Sequence, residues 1–166
     1  MNQTYLLDAN IFIEAKNRYY GFDFCPAFWE WLLLKNKEGK VYSHWKVYEE
    51  LNKGNDELKD WVSAEAKSLF LKPSDDILMP SFAKLSELTL NLKDYKEGAI
   101  SEFFASADYY LIAFALSKGY TLVTHEVSSP SKKRIKIPDI ARQLQIATIS
   151  PFEMLRTENA RFIINP

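Results

Sequence analysis

Short apolar runs that alternate with longer helical patterns constrain this chain more than any other feature. The segments "TYLL" (4–7), "KVYS" (40–43), "YTLVTHE" (120–126) and "IATIS" (146–150) read as strands separated by helical stretches. That alternation favours a parallel sheet with helices on its faces. "AFWEWLLLKNKEG" reads as a helix ended by Gly39, and "HWKVYEELNKG" as one ended by Gly54. In "DELKDWVSAEAKSLF", Leu58, Trp61, Val62, Glu65 and Leu69 fall at helical spacing, and "PSFAKLSELTLNLKDY" continues the helical character. "SEFFASADYYLIAFALSKG" (101–119) reads as one long helix stopped by Gly119, and "PDIARQL" as a short helix with Pro138 near its start. "SPFEMLRTE" carries a capping box: Ser150 as cap, Pro151 at the first helical position and Glu153 three after the cap.

A chain of 166 residues with 47% hydrophobic residues is expected to form one globular domain over residues 1–166. Lys plus Arg (21) nearly balance Asp plus Glu (22), so no global basic field attracts a polyanion, and any nucleic acid needs a local patch. The lone Cys25 sits in an apolar stretch and reads as a small buried hydrophobe. Asp8 and Glu14 interrupt what would be a signal segment, and no apolar run approaches the ~20 residues that span a bilayer. A cytoplasmic location without membrane attachment is expected.

The chemistry lies with the acids. Asp8 ends the first strand, Glu50 lies in the helix after the second, Asp108 lies in the long helix, and Glu126 follows "YTLV". Asp8 at a strand-to-helix junction is either a helix cap or a group at the carboxyl edge, where open α/β sheets bind ligands. Asp108 shares a helical face with Leu111, Ile112 and Ala115, and Glu50 has the same relation to Val47 and Leu51. A carboxylate on such a stripe needs a partner, and no Lys or Arg lies within a turn of Asp108 on that face. Acidic oxygens with no His or Cys cluster suit Mg²⁺ or Mn²⁺ rather than zinc.

The same residues carry a family resemblance. "LLDANIFIE", "VYEEL", "SADYYLIAFAL" and "YTLVTHE", in that order, resemble the successive motifs of PIN-domain nucleases. The resemblance implies a PIN-like three-layer α/β/α fold with a central parallel sheet and acids gathered around one or two divalent ions. It assigns Asp8, Glu50 and Asp108 to the metal, Glu126 to the fourth acidic position, and Asn10 and Thr124 to supporting roles. Glu126 departs from the pattern, which more usually has Asp there. Glu50 is preferred over Glu49 because Leu51 completes the acid-aliphatic pair.

The implied activity is metal-dependent phosphodiester hydrolysis, with RNA as substrate. Small single-domain members of this family include toxin ribonucleases paired with an antitoxin protein, and the chain has their size. Lys132, Lys133 and Arg134, in "SKKRIK", are candidate phosphate contacts or a solvated loop. His44 and His125 are structural or substrate-facing. Phe28, Trp29 and Trp31 belong to the core or to a partner or homodimer surface. The alternative is a PIN-like module that binds RNA or protein without cutting. A haloacid-dehalogenase type of phosphotransferase would need a second Asp where Asn10 stands.

Overall fold

A computed structural model describes residues 2–165 of the chain. Its strands are β1 (Tyr5–Leu7), β2 (Val41–His44), β3 (Phe70–Leu71), β4 (Thr121–Val123) and β5 (Thr148–Ile149). Every pairing is parallel and the order is β3-β2-β1-β4-β5. The helices are α1 (Ala9–Glu14), α2 (Pro26–Lys37), α3 (Trp45–Leu51), α4 (Glu57–Ala64), α5 (Asp75–Leu90), α6 (Ala99–Ala105), α7 (Ala107–Lys118), α8 (Ile137–Gln143) and α9 (Pro151–Thr157). The result is the expected three-layer α/β/α arrangement.

Burial explains why the strands read as continuous apolar runs. Tyr5, Leu6 and Leu7 of β1 are fully buried because helices cover both faces of a parallel sheet. Each such leucine contributes about 1.5–3 kcal/mol by leaving water. Phe28 and Trp29 belong to the same core; Trp29 stacks on Phe22 at 4.1 Å and meets Trp61 edge-on at 4.8 Å. Trp31 is half-buried against that core. Cys25 is half-buried rather than fully enclosed, because it sits at the N-cap of α2.

The topology also places a site. From β1 the chain moves to β2 and β3 on one side, then crosses to β4 and β5 on the other. The order therefore reverses between β1 and β4. Helices leave these two strands in a way that opens a crevice beyond their carboxyl ends.

Several helical expectations are corrected. Residues 101–119 form two helices bent by 67°, broken at Ser106, whose extended backbone (φ −89°, ψ 160°) cannot continue a helix. No Pro or Gly marks that break. Residues 67–71 are a single 3₁₀ turn followed by β3 rather than helix, a strand too short to show a period. α5 begins at Asp75, runs through Pro80 and ends at Leu90, so 91–95 are not helical. α3 closes at Leu51 with Asn52 as its cap, before Gly54 is reached. Gly119 does stop α7, with φ at +70° in the left-handed region that an L side chain resists. Among the described residues no single helix is long and apolar enough to cross a membrane.

Candidate active site

Asp8 is held where β1 and β4 part. Its N–H donates to Val123 O at 3.0 Å, extending the ladder by one residue, and its backbone then turns into α1. It occupies the N-cap position, yet its side chain makes no cap bond. Instead Oδ2 accepts the Thr124 hydroxyl at 3.0 Å. Thr124 Oγ1 in turn accepts the Glu126 N–H at 3.0 Å. A buried threonine thus aims one acid and fixes the path to another.

Asp108 arrives by the break in the long segment. The Ser106 hydroxyl donates to Phe103 O at 2.7 Å, and α7 starts afresh at Ala107. Asp108 consequently lies in the first turn of α7, half-buried, instead of deep in a continuous helix. Asp8, Asn10, Glu50, Asp108, Glu126 and Arg134 all line one cleft of about 520 Å³ at the carboxyl edge of the sheet. Asp8 is 4% exposed, whereas Asn10 and Glu50 are open to solvent. Glu49 lines the cleft too but pairs with Lys46 at 3.1 Å.

The electrostatics separate the acids into two kinds. Burial pushes the Asp8 carboxyl up to about 6, and the Glu126 charge adds to this while the Thr124 hydroxyl opposes it. Burial pushes Asp108 up to about 8, with the charges of Asp8 and Glu126 adding and Arg134 opposing. The Asp8 charge thus makes Asp108 harder to ionise. Glu126 is satisfied: Oε1 accepts from Arg134 Nη2, and Oε2 accepts the Ile137 N–H at 2.8 Å. Ile137 opens α8, so this carboxylate also serves that helix's unpaired amide.

The basic candidates part company. Arg134 faces the cleft, but Lys132 lies 4.6 Å over the Tyr95 ring and lines a different groove with Lys93 and Arg142. Lys133 is exposed on the connecting loop. Sequence reading overlooked Lys46 and Lys53, both in the cleft wall. Their spacing around Glu49 and Glu50, in steps of three and four, would have put all of them on one helical face.

The donor set is one of hard oxygens, and among the described residues neither Asp8 nor Asp108 forms an ion pair. It fits a small divalent cation held by one or two carboxylates and otherwise by water, as Mg²⁺ prefers. Among the described residues no three His, Cys, Asp or Glu side chains are gathered into a ready-made metal cage.

Fold and cleft together define a doubly wound parallel α/β protein with an acidic site at its topological switch point. A family model described as "Domain of unknown function (DUF4411)" matches residues 5–162, and the chain belongs to that family. Comparison with curated proteins finds no match.

Proposed function

We propose that the protein is a PIN-like, Mg²⁺- or Mn²⁺-dependent ribonuclease whose reaction centre is the cleft between Asp8 and Asp108. The observation that carries this reading is the pair itself: two buried or half-buried acids at a switch-point crevice, both raised in pKa and neither in an ion pair among the described residues. Such an arrangement costs stability and is tolerated where a bound cation and substrate make use of it.

A divalent ion bound there would supply water activation and neutralise charge on a phosphodiester. Asp8 and Asp108 would hold it. Thr124 orients the Asp8 carboxylate through its hydroxyl, so that the group keeps one set direction in the cleft. Glu50, a solvent-open residue of the cleft lining, would orient a water or complete the donor set. Lys46, Lys53 and Arg134 offset the acidic field that would otherwise repel a polyanion. The role of a cytoplasmic toxin neutralised by a small antitoxin rests on the PIN resemblance and the chain's size alone.

Two observations favour the alternative of a non-catalytic RNA- or protein-binding module. Arg134 already satisfies Glu126, and no closed metal cage is present among the described residues. Cleavage decides between them. The purified protein is expected to cut single-stranded RNA in Mg²⁺ or Mn²⁺, to stop on chelation, and to lose activity on Asp8→Ala or Asp108→Ala with an unchanged circular dichroism spectrum. Binding of RNA without metal-dependent cutting would establish the module instead.

A further inference from the structure

A second cavity, of about 200 Å³, adjoins the acidic cleft and shares Lys46 and Glu49 with it. Trp45 and Tyr110 supply its aromatic lining, and Lys72 and Asp75 line it too. His44, 4% exposed, also lines it. The His44 ring caps α3: Nδ1 accepts the Lys46 N–H at 3.0 Å. Nδ1 is therefore unprotonated, and the proton of the neutral ring sits on Nε2. Among the described residues no acceptor takes that N–H, so a histidine lining the cavity keeps an unused donor. Burial, aided by the Lys46 charge, pushes the ring down to about 4 and keeps this tautomer neutral.

We infer that this cavity is a nucleobase subsite, receiving the base of a nucleotide next to the phosphate held in the acidic cleft. The Trp45 ring, braced by Tyr48 stacked on it at 4.2 Å, and the Tyr110 ring, from which the flexible Lys46 side chain can swing aside, give a base apolar aromatic surface, and a fixed N–H in the lining calls for an acceptor on the base edge. Lys46 stands at the junction, 5.3 Å over the Tyr110 ring and 3.1 Å from Glu49, where the linking phosphate would pass. A space of this size takes one ring system and not a base pair, so the substrate must present an unpaired nucleotide. The inference rests on the ribonuclease reading and deepens it.

The test measures binding by the full chain in chelator, where nothing is cut, using short single-stranded oligoribonucleotides either intact or with one abasic position. Loss of the base is expected to weaken binding about tenfold, the scale of one base stacked on aromatic side chains. Trp45→Ala should weaken the intact strand by a similar factor and leave the abasic strand unchanged. If intact and abasic strands bind alike, the subsite is overturned while the ribonuclease reading stands. The abasic comparison uses the native chain and survives any folding defect in Trp45→Ala. If no oligoribonucleotide binds, and none is cut in Mg²⁺ or Mn²⁺, both fall together.

Discussion

Asp8 and Glu126 reach the same cleft from neighbouring strands, yet they live under opposite conditions. Glu126 has an arginine, a helix amide and a backbone tie through Thr124, so its charge is compensated on the spot. Asp8 has one hydroxyl donor and, in Glu126 and Glu50, acidic neighbours that raise its pKa. The loop that carries Glu126 is a clasp, whereas the wall formed by Asp8 and Asp108 is a site held in tension. The contrast shows where the molecule can lose a carboxylate and gain stability, and where the same change costs it.

The largest expected effect separates them outright. Asp8→Asn and Asp108→Asn each keep the shape of the side chain, and the amide oxygen introduced in Asp8→Asn would still accept from Thr124. Each is expected to lower the rate of metal-dependent RNA cleavage by at least about a hundredfold, about 2.7 kcal/mol of barrier, while the melting temperature holds or rises. Glu126→Gln should cut at a rate closer to the native protein's. If all three variants lose activity equally, the distinction between wall and clasp is wrong.

Stability should show the reverse order. Glu126→Ala removes the Arg134 partner and leaves the Ile137 N–H unpaired at the start of α8. An orphaned buried amide costs about 1–3 kcal/mol, which for a chain of this length lowers the melting temperature by roughly a few degrees. Thermal denaturation in chelator checks this. A Glu126→Ala protein as stable as the native one would mean that the loop holds itself in place.

What the chain revealed in advance follows the strength of local signals. β1 and β4 were legible because their fully buried residues form apolar runs, β2 because Val41 and Tyr42 follow the helix stop at Gly39, and α9 because Ser150 and Glu153 close both halves of a capping box at 3.1 and 2.8 Å. β3 was not, since two residues carry no period, and its existence depends on pairing with Ser43 and His44 far back in the chain. The break at Ser106 was hidden for a related reason. Serine is acceptable in a helix, and only the tertiary fold selects its extended conformation. Asp8 and Glu126 were legible because each follows a strand, and Asp108 because it lies beside an apolar helical face; Glu50 also reaches the cleft, but from an exposed position among charged neighbours rather than from the apolar stripe its spacing to Val47 and Leu51 suggested. That Glu126 is compensated and Asp8 is not was invisible, because it depends on Arg134 and Ile137 returning across a loop.

The pH dependence of stability sharpens the comparison further. Both wall carboxyls have folded values above the ordinary carboxylate value of 3.8, reaching about 6 for Asp8 and about 8 for Asp108. The folded state thus holds these protons more tightly than the unfolded chain. The stabilisation is fully present below about pH 4 and lost as pH rises through the folded values. Without metal, Asp108→Asn should melt like the native protein below about pH 4 and increasingly above it as pH rises to 8, where the gap should reach a degree or more. Mn²⁺ should narrow the gap at pH 8 by binding the native pair. A gap that is constant with pH would show that Asp108 is not held protonated by its surroundings.

The smallest effect concerns the basic loop. Lys132 is spent on Tyr95 in a separate groove and Lys133 stands exposed, so neither faces the reacting phosphate. A contact to RNA through either one would be a backbone contact beyond the cleft, worth less than about one unit in the slope of log affinity against log salt for each phosphate neutralised. The double variant Lys132→Ala, Lys133→Ala is therefore expected to flatten that slope by no more than about 1.4 units and to leave the cleavage rate at saturating RNA unchanged. Arg134→Ala should differ in kind, since Arg134 faces the cleft and lowers the Asp108 pKa by its charge. It should lower affinity, raise the apparent pKa of cleavage and release Glu126. If the two lysines govern the saturated rate and Arg134 only the salt slope, then the loop's tip and its root have been assigned the wrong way round, and the cleft extends toward Tyr95.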